Sequence, residues 1–272
     1  MKRKTGYLFC ISTGRSGSNY LTKIFKHVSG CQSFHEPKPI GNGKVMSRYL
    51  RGDVESMRKM TQQKVEVIQE AKQNDQLYVE TNHCFIKGFG WFIPQYLPED
   101  NIGVIILKRE KYKIAESLLR TNCSPLFRFG RNWIITPEIK DPLVTLPQKL
   151  VCPKTLYQCT RLLKFLLRSN RFVVRKVFRQ ELQYPQWLTN YELECLKWYV
   201  EETYAKAEAF KQQYPKIKYY EVNIEDLNSL ESVQQMLAYF GYSGKESLID
   251  VVGKPTNLKL PKLKTCSASR LI

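Results

Sequence analysis

YLFCISTGRSGSNYLTKIF, residues 7–25, is the stretch that decides the fold. Tyr7 to Ile11 are an unbroken apolar run, the pattern of a buried strand. The run breaks into Ser12–Thr13–Gly14–Arg15–Ser16–Gly17–Ser18–Asn19, and apolar residues resume at helical spacing as Tyr20, Leu21, Ile24 and Phe25. A strand, a short Gly/Ser turn and a helix N-terminus together form an anion cradle. Free backbone N–H groups point at the ligand and the helix dipole favours negative charge. Gly14 and Gly17 let the backbone come close, and Arg15 adds a fixed cation with a fork of donors. The loop lacks the G-x-x-x-x-G-K-[ST] spacing of a Walker A motif, so ATP is not the expected ligand.

Outward from this segment, strands and helices alternate. Residues 30–60 are rich in Gly, Pro, Lys and Arg and read as an active-site loop followed by a short helix; residues 61–73 read as helical. QLYVET (76–81) and NIGVIILKR (101–109) read as buried strands, and KYKIAESLLR (111–120) as a helix. Residues 121–155 are irregular, interrupted by Pro125, Pro137, Pro142, Pro147 and Pro153. Tyr191–Gln213 predicts a long amphipathic helix, 216–224 a late strand and 230–242 a closing helix. The alternation predicts an α/β fold: three layers, α/β/α, around a central parallel sheet, with a P-loop-like phosphate-binding loop after the first strand, in a single domain spanning 1–272.

The 272 residues are 43% hydrophobic and 12% aromatic, enough for a real core, and carry a formal charge of +18. That charge points to anionic ligands without choosing among nucleotides, nucleic acid, acidic glycans and membrane surfaces. No run approaches the ~18 apolar residues that span a bilayer. The start MKRKTGYLFCIS has too short an apolar stretch for a signal peptide, so the expected location is cytoplasmic. Eight cysteines include no C-x-x-C pair and read as reduced core thiols, with no metal site expected. Arg161, Lys164, Arg168, Arg171, Arg175 and Arg179 recur at steps of three or four. The stripe over 161–179 reads either as an ordinary solvated face or as an edge for an acidic acceptor, a partner or an anionic surface. No helix-turn-helix, zinc or RNA-binding pattern appears, so no nucleic-acid partner is expected.

A second motif lies in VIILKREKYKIAESLLR. Arg109 sits where a buried strand leaves the sheet, and Ser117 lies eight residues on, about two turns into the next helix. Ligands of parallel sheets bind at the carboxyl ends of strands, so Arg109 should share a rim with the 12–19 loop. There an Arg and a Ser can clamp a second phosphate.

Together the two segments resemble the sulfotransferase family, whose members transfer a sulfuryl group from 3′-phosphoadenosine 5′-phosphosulfate (PAPS). STGRSGSNYL resembles the 5′-phosphosulfate loop of that family, and Arg109–x7–Ser117 its 3′-phosphate motif. Weaker likeness runs through the helix bearing Trp198, the strand YYEV before EDL (225–227), the helix ending FGY and the late GKPTN (253–257). One departure is Glu110–Lys111, where the family usually has Asx-Pro. The resemblance implies PAPS as co-substrate, no metal, and an acceptor hydroxyl or amine on a small molecule, carbohydrate or lipid. It implies donor binding by Thr13, Gly14, Arg15, Ser16, Gly17, Ser18, Asn19, Arg109, Ser117, Lys254 and Asn257. A sulfuryl group carries less negative charge than a phosphoryl group, so backbone N–H groups and Arg15 can stabilise the leaving phosphate without Mg²⁺.

The reaction needs a base. Glu36 in SFHEPKP, its loop stiffened by Pro37 and Pro39, is the first candidate, His83 in VETNHCF the second and His35 the third. Glu80 and Thr81 share a strand exit, where one of them is a candidate contact to the sulfuryl group. Acceptor-lining residues are expected from 40–60 and 121–150, with Phe127, Arg128, Phe129, Arg131 and Trp133 suited to several acceptor types. A small-molecule kinase and a non-catalytic polyanion-binding protein are the rival readings.

Overall fold

A computed structural model describes residues 4–72, 76–150, 158–163, 165–166 and 186–254. Five parallel strands form one sheet: β1 (Tyr7–Ile11), β2 (Cys31–His35), β3 (Leu77–Thr81), β4 (Ile102–Lys108) and β5 (Lys218–Asn223), in spatial order β2-β3-β1-β4-β5. Helices cover both faces, so the fold is the three-layer α/β/α sandwich that the alternation predicts. The helices are α1 (Ser18–Lys26), α2 (Lys44–Tyr49), α3 (Val54–Ala71), α4 (Lys111–Arg120), α5 (Arg128–Arg131), α6 (Gln186–Gln213) and α7 (Leu230–Tyr239).

Because side chains alternate along a strand, β1 serves two cores at once. Leu8 and Cys10 point to α1 and α7, packing on Leu21, Ile24, Phe25, Val233 and Leu237. Phe9 and Ile11 point to the other face, where α3, the segment after β3, the 3₁₀ turn Phe89–Trp91 and the C-terminal half of α6 supply Met57, Phe85, Phe89 and Phe210. Phe9 stacks on Phe85 at 5.0 Å between centroids, and Phe85 meets Phe210 edge-on at 5.6 Å. A third cluster joins α4 to the N-terminal half of α6 through Ile114, Leu118, Leu196 and Trp198, and encloses Ile134 and Ile135.

Residues 30–60 correct the sequence reading. CQSFH is a strand, not a loop, and its polar Gln32 and Ser33 conceal it, because as an edge strand it pairs only with β3 and stays half-buried. The following helix also begins earlier than residue 61: Asp53 caps α3, accepting the Ser56 N–H at 3.3 Å. Residues 121–150 are irregular as expected, tied to α6 by Glu202, whose carboxylate accepts the Leu143 and Val144 N–H groups at 3.0 and 2.8 Å. Among the described residues no helix is long and apolar enough to cross a membrane. The described cysteines are free thiols, and Cys10, Cys84, Cys123 and Cys195 are buried. Of the 161–179 stripe only Arg161 lies among the described residues, where it pairs with Glu138 at 3.6 Å.

The topology fixes where a ligand can go. β1 lies between β3 and β4, so the chain after β1 turns to one side of the sheet and later crosses to the other. The crevice at that switch opens at the carboxyl ends of the strands.

Candidate active site

All four strands on the crevice side deliver a residue to its wall: Gly14, Arg15 and Gly17–Asn19 after β1, Glu36 after β2, His83 after β3 and Arg109 after β4. They line a cavity of about 430 Å³, closed by Leu118 of α4 and by Thr121, Cys123, Phe129, Trp133 and Ile134. That volume lies in the usual range of small-molecule sites.

The loop after β1 is shaped to present N–H groups. Arg15 and Gly17 both hold left-handed φ, at 71° and 101°. Gly17 is the N-cap of α1 and offers no side-chain cap; the first turn carries no acidic residue. The leading N–H groups, on Ser18 and Asn19, therefore face the cavity uncapped. Glycine is favoured at 17 by its left-handed φ and by the space there, since a Cβ would lie 2.2 Å from Ile224 Cδ1. Gly14 is different: a Cβ would sit at ordinary contact distance, 3.8 Å, from His83 and Leu118. Ser16 is buried behind the loop, where its hydroxyl donates to Thr13 O at 2.7 Å. Thr13 is also buried, and neither of these two hydroxyls reaches the cavity.

Arg15, Arg109 and Ser117 come together as the spacing predicts. Arg15 Nε donates to Ser117 Oγ at 3.1 Å, and Arg109 Nη1 donates to the Arg15 carbonyl at 2.7 Å. Arg109 is fixed from behind by α6, whose Tyr204 hydroxyl accepts its backbone N–H at 3.2 Å. Its Nε is buried without a partner among the described residues. A donor orphaned beside a cavity fits an absent anion. The departure at Glu110 has a local cause: its carboxylate caps α4, accepting the N–H groups of Tyr112 and Lys113 at 2.6 and 2.8 Å, which holds its pKa below the usual value. The acidic group thus faces the helix end rather than the Arg109 guanidinium.

Opposite stands a buried relay. Glu36 adopts a left-handed φ of 49°, and its N–H continues the sheet by donating to Thr81 O at 3.1 Å. The segment after it is pinned by Lys64 Nζ, which donates to Pro37 O at 2.7 Å, and by Asn82 Nδ2, which donates to Ile40 O at 3.0 Å. Glu36 Oε1 lies 3.3 Å from His83 Nε2. His83 Nδ1 lies 2.7 Å from Lys87 Nζ, which also donates to Trp133 O at 2.7 Å and to the Tyr199 hydroxyl at 2.6 Å. An ammonium has three donors and no acceptor, so Lys87 fixes the tautomer: Nδ1 accepts, and Nε2 carries the proton it gives to Glu36.

Burial, then the Lys87 charge, push the His83 pKa well below its usual value, so the ring is neutral at pH 7. Burial lowers Lys87 to about 8. Glu36 is raised, chiefly by burial, against the pull of His35 and Lys87. A carboxylate raised toward neutrality, with a neutral imidazole orienting it, is the arrangement of a general base. Cys123 is no competing nucleophile, because burial pushes its thiol up to about 11.

The remaining candidates fall elsewhere. His35 lines the cavity, but its Nδ1 is engaged with the Thr81 hydroxyl at 2.9 Å. Glu80 does not reach the cavity. It is fully buried in an ion pair with Lys64 at 2.8 Å and also accepts from the Tyr78 hydroxyl and from Asn82. Thr81 is occupied by His35 and by the Thr22 hydroxyl. Lys254 is exposed and lies 3.8 Å from Asp250, away from the cavity; Asn257 lies outside the described residues. Of the acceptor region, Phe129 and Trp133 line the cavity, whereas residues 40–60 do not. Lys87 and Tyr199 went unread in the sequence. The one available signal was a lysine inside the apolar run CFIKGFGWF, where a charge is buried only with partners.

No family model matches the chain, and no curated protein matches it. Among solved structures, the chain is similar to a sulfotransferase from Alicyclobacillus acidocaldarius, at 11% identity, over 88% of this chain and 81% of that one, with a TM-score of 0.42.

Proposed function

We propose that this chain is a sulfotransferase that moves a sulfuryl group from PAPS to a hydroxyl or amine of a small-molecule, glycan or lipid acceptor. The observation that carries the reading is the convergence on one cavity of an uncapped glycine loop, a half-buried arginine whose Nε has no partner among the described residues, and a carboxylate oriented by a neutral histidine. The loop N–H groups of residues 15–19 and the Arg15 guanidinium would hold the 5′ end of the donor, and Arg109 its 3′-phosphate; Gly14 lines the cavity while its N–H donates to the Tyr199 hydroxyl at 3.4 Å. When bound, the donor supplies an activated sulfuryl group with a phosphate as leaving group.

Each residue then has one task. Glu36 takes the proton of the acceptor on Oε2, the oxygen that His83 leaves available. His83 keeps Oε1 in place with its Nε2–H. Arg15 and the α1 N-terminus face the negative charge that grows on the departing phosphate, which is where preorganised donors lower a barrier most. Ser117 holds Arg15 in position, and Trp133, 5.4 Å from the His83 ring, shields the relay from water.

The test is transfer of radiolabelled sulfate from PAPS to an acceptor mixture, in EDTA, with products identified by mass spectrometry. The reading requires labelled product that disappears in Arg15→Ala. Near-normal turnover of that variant, or no labelled product from the wild type, overturns it.

A further inference from the structure

Beside the reaction cavity lies a second concavity of about 280 Å³, and five cations line it: Lys44, Arg48, Arg51, Arg128 and Arg131. Among the described residues no carboxylate shares its wall. Lys44, Arg48 and Arg128 are exposed and have no ion-pair partner among the described residues. Arg51, in the turn after α2, is held by that helix, donating to Ser47 O at 2.9 Å and to Ser47 Oγ at 2.8 Å, and Arg131 Nη1 donates to Pro125 O at 3.3 Å. The pocket joins two elements far apart in sequence, α2 and α5. They are pinned together where Gly43 N–H donates to Asn132 O at 2.8 Å. Asp53, whose carboxylate senses Arg48, is turned to the α3 N-terminus and Ser56.

Two features tie this pocket to the reaction cavity. Residues 128–134 are a shared wall. Phe129, Trp133 and Ile134 face the reaction cavity, while Arg128, Arg131 and Asn132 face the cations. A smaller depression of about 140 Å³ borders both, sharing Ile134 with the first and Ser47, Arg51 and Arg131 with the second; its acidic residue, Glu138, is already paired with Arg161. Like charges crowded in a concave wall repel one another, and an anion relieves that repulsion.

We infer that this pocket binds an anionic substituent of the acceptor, so that the molecule sulfated carries a carboxylate, sulfate or phosphate besides its reactive hydroxyl or amine. The inference rests on the proposed sulfotransferase reading only for the word acceptor; the anion site stands on its own geometry. It narrows a choice that the reaction cavity leaves open, since Leu118, Phe129, Trp133 and Ile134 of that cavity's wall carry no charge to select an anionic acceptor.

The test has two arms. In the first, the full chain is saturated with 3′-phosphoadenosine 5′-phosphate to fill the glycine loop, and benzene-1,3,5-tricarboxylate is titrated by calorimetry at low salt. Arg48→Glu/Arg128→Glu is compared with Lys26→Glu/Lys59→Glu, which changes the net charge equally at exposed positions elsewhere. The first variant should bind the trianion about tenfold more weakly or worse, the control much as wild type, and both should still bind the nucleotide. Equal weakening by the control, or no wild-type binding, overturns the anion site. In the second arm, labelled PAPS is supplied with hydroxyl compounds separated beforehand into neutral and anionic fractions. Label should enter the anionic fraction and fall about tenfold in Arg48→Glu/Arg128→Glu. Label confined to neutral compounds would show that a free anion, not the acceptor, fills the pocket. Failure of both fractions to label, or of the nucleotide to bind, would count against the sulfotransferase reading instead, with the first arm still deciding the pocket.

Discussion

Replacing Lys87 by methionine separates the buried relay from ordinary packing. The substitution keeps a long unbranched side chain and removes the charge together with three donated hydrogen bonds, to His83, Trp133 and Tyr199. In the folded chain Lys87 titrates at about 8 rather than 10.5, because burial disfavours its charged form. At about 1.36 kcal/mol per pH unit, that displacement opposes folding by about 3 kcal/mol below pH 8. The unfolded chain then binds more protons than the folded one between pH 8 and 10.5, so stability rises with pH across that window. Of the roughly 3 kcal/mol, about 2 kcal/mol is recovered between pH 6.5 and pH 9.5. Urea unfolding of wild type and Lys87→Met at those two pH values should therefore differ in their pH dependence by about 2 kcal/mol, with the wild type gaining. A second readout lies in the reaction. Lys87 lowers the Glu36 pKa, and its charge also fixes the His83 tautomer. Without it, the acid limb of the pH–rate profile should move to higher pH and the rate should fall. Parallel stability profiles together with an unmoved acid limb would refute the relay.

Two further outcomes follow from the site. Gly17→Ala forces a left-handed φ on alanine and drives a methyl to 2.2 Å from Ile224 Cδ1, so it should cost about 2–4 kcal/mol by denaturant unfolding. Adding Ile224→Ala should restore the steric share, and a double variant no better than the single one would contradict this. Glu36→Gln should lower transfer about 10²–10⁴-fold while leaving nucleotide affinity unchanged. Because the folded pKa of Glu36 is raised, its contribution to stability is lost as pH climbs through that value; the glutamine variant should accordingly melt higher than wild type at neutral pH. Lower melting there would show that the carboxylate supports the fold rather than being strained by it.

What could be read from the chain tracks how local the governing physics is. β1, β4 and α4 were legible because continuous apolar runs and 3.6-residue spacing are properties of short windows, and the loop between β1 and α1 is punctuated by glycine. β2 was not, since an edge strand with one partner needs no apolar alternation. The rim was legible for Arg109 and Ser117, whose placement follows from a strand exit and helix spacing. The relay was not, because Lys87 and Tyr199 are 112 residues apart and meet only through the packing of α6 on the sheet. Glu80 misled for a related reason: it shares a strand with Thr81, but alternation turns it to the opposite face, into the Lys64 pair. Composition alone points to 40–60 for acceptor-lining residues, and only the fold shows that α2 walls a separate pocket.

On the proposed reading, the rim of β1 and β4 holds two phosphates without a metal-binding Lys-Ser/Thr step. Melting the protein in EDTA with 3′-phosphoadenosine 5′-phosphate, with adenosine 5′-phosphate, and separately with ATP and Mg²⁺ tests it directly. The bisphosphate should stabilise most, by about 2.7 kcal/mol at a hundredfold excess over its Kd, and Arg109→Ala should erase its advantage over the monophosphate. A larger shift with ATP and Mg²⁺, or an advantage that survives Arg109→Ala, would contradict the account.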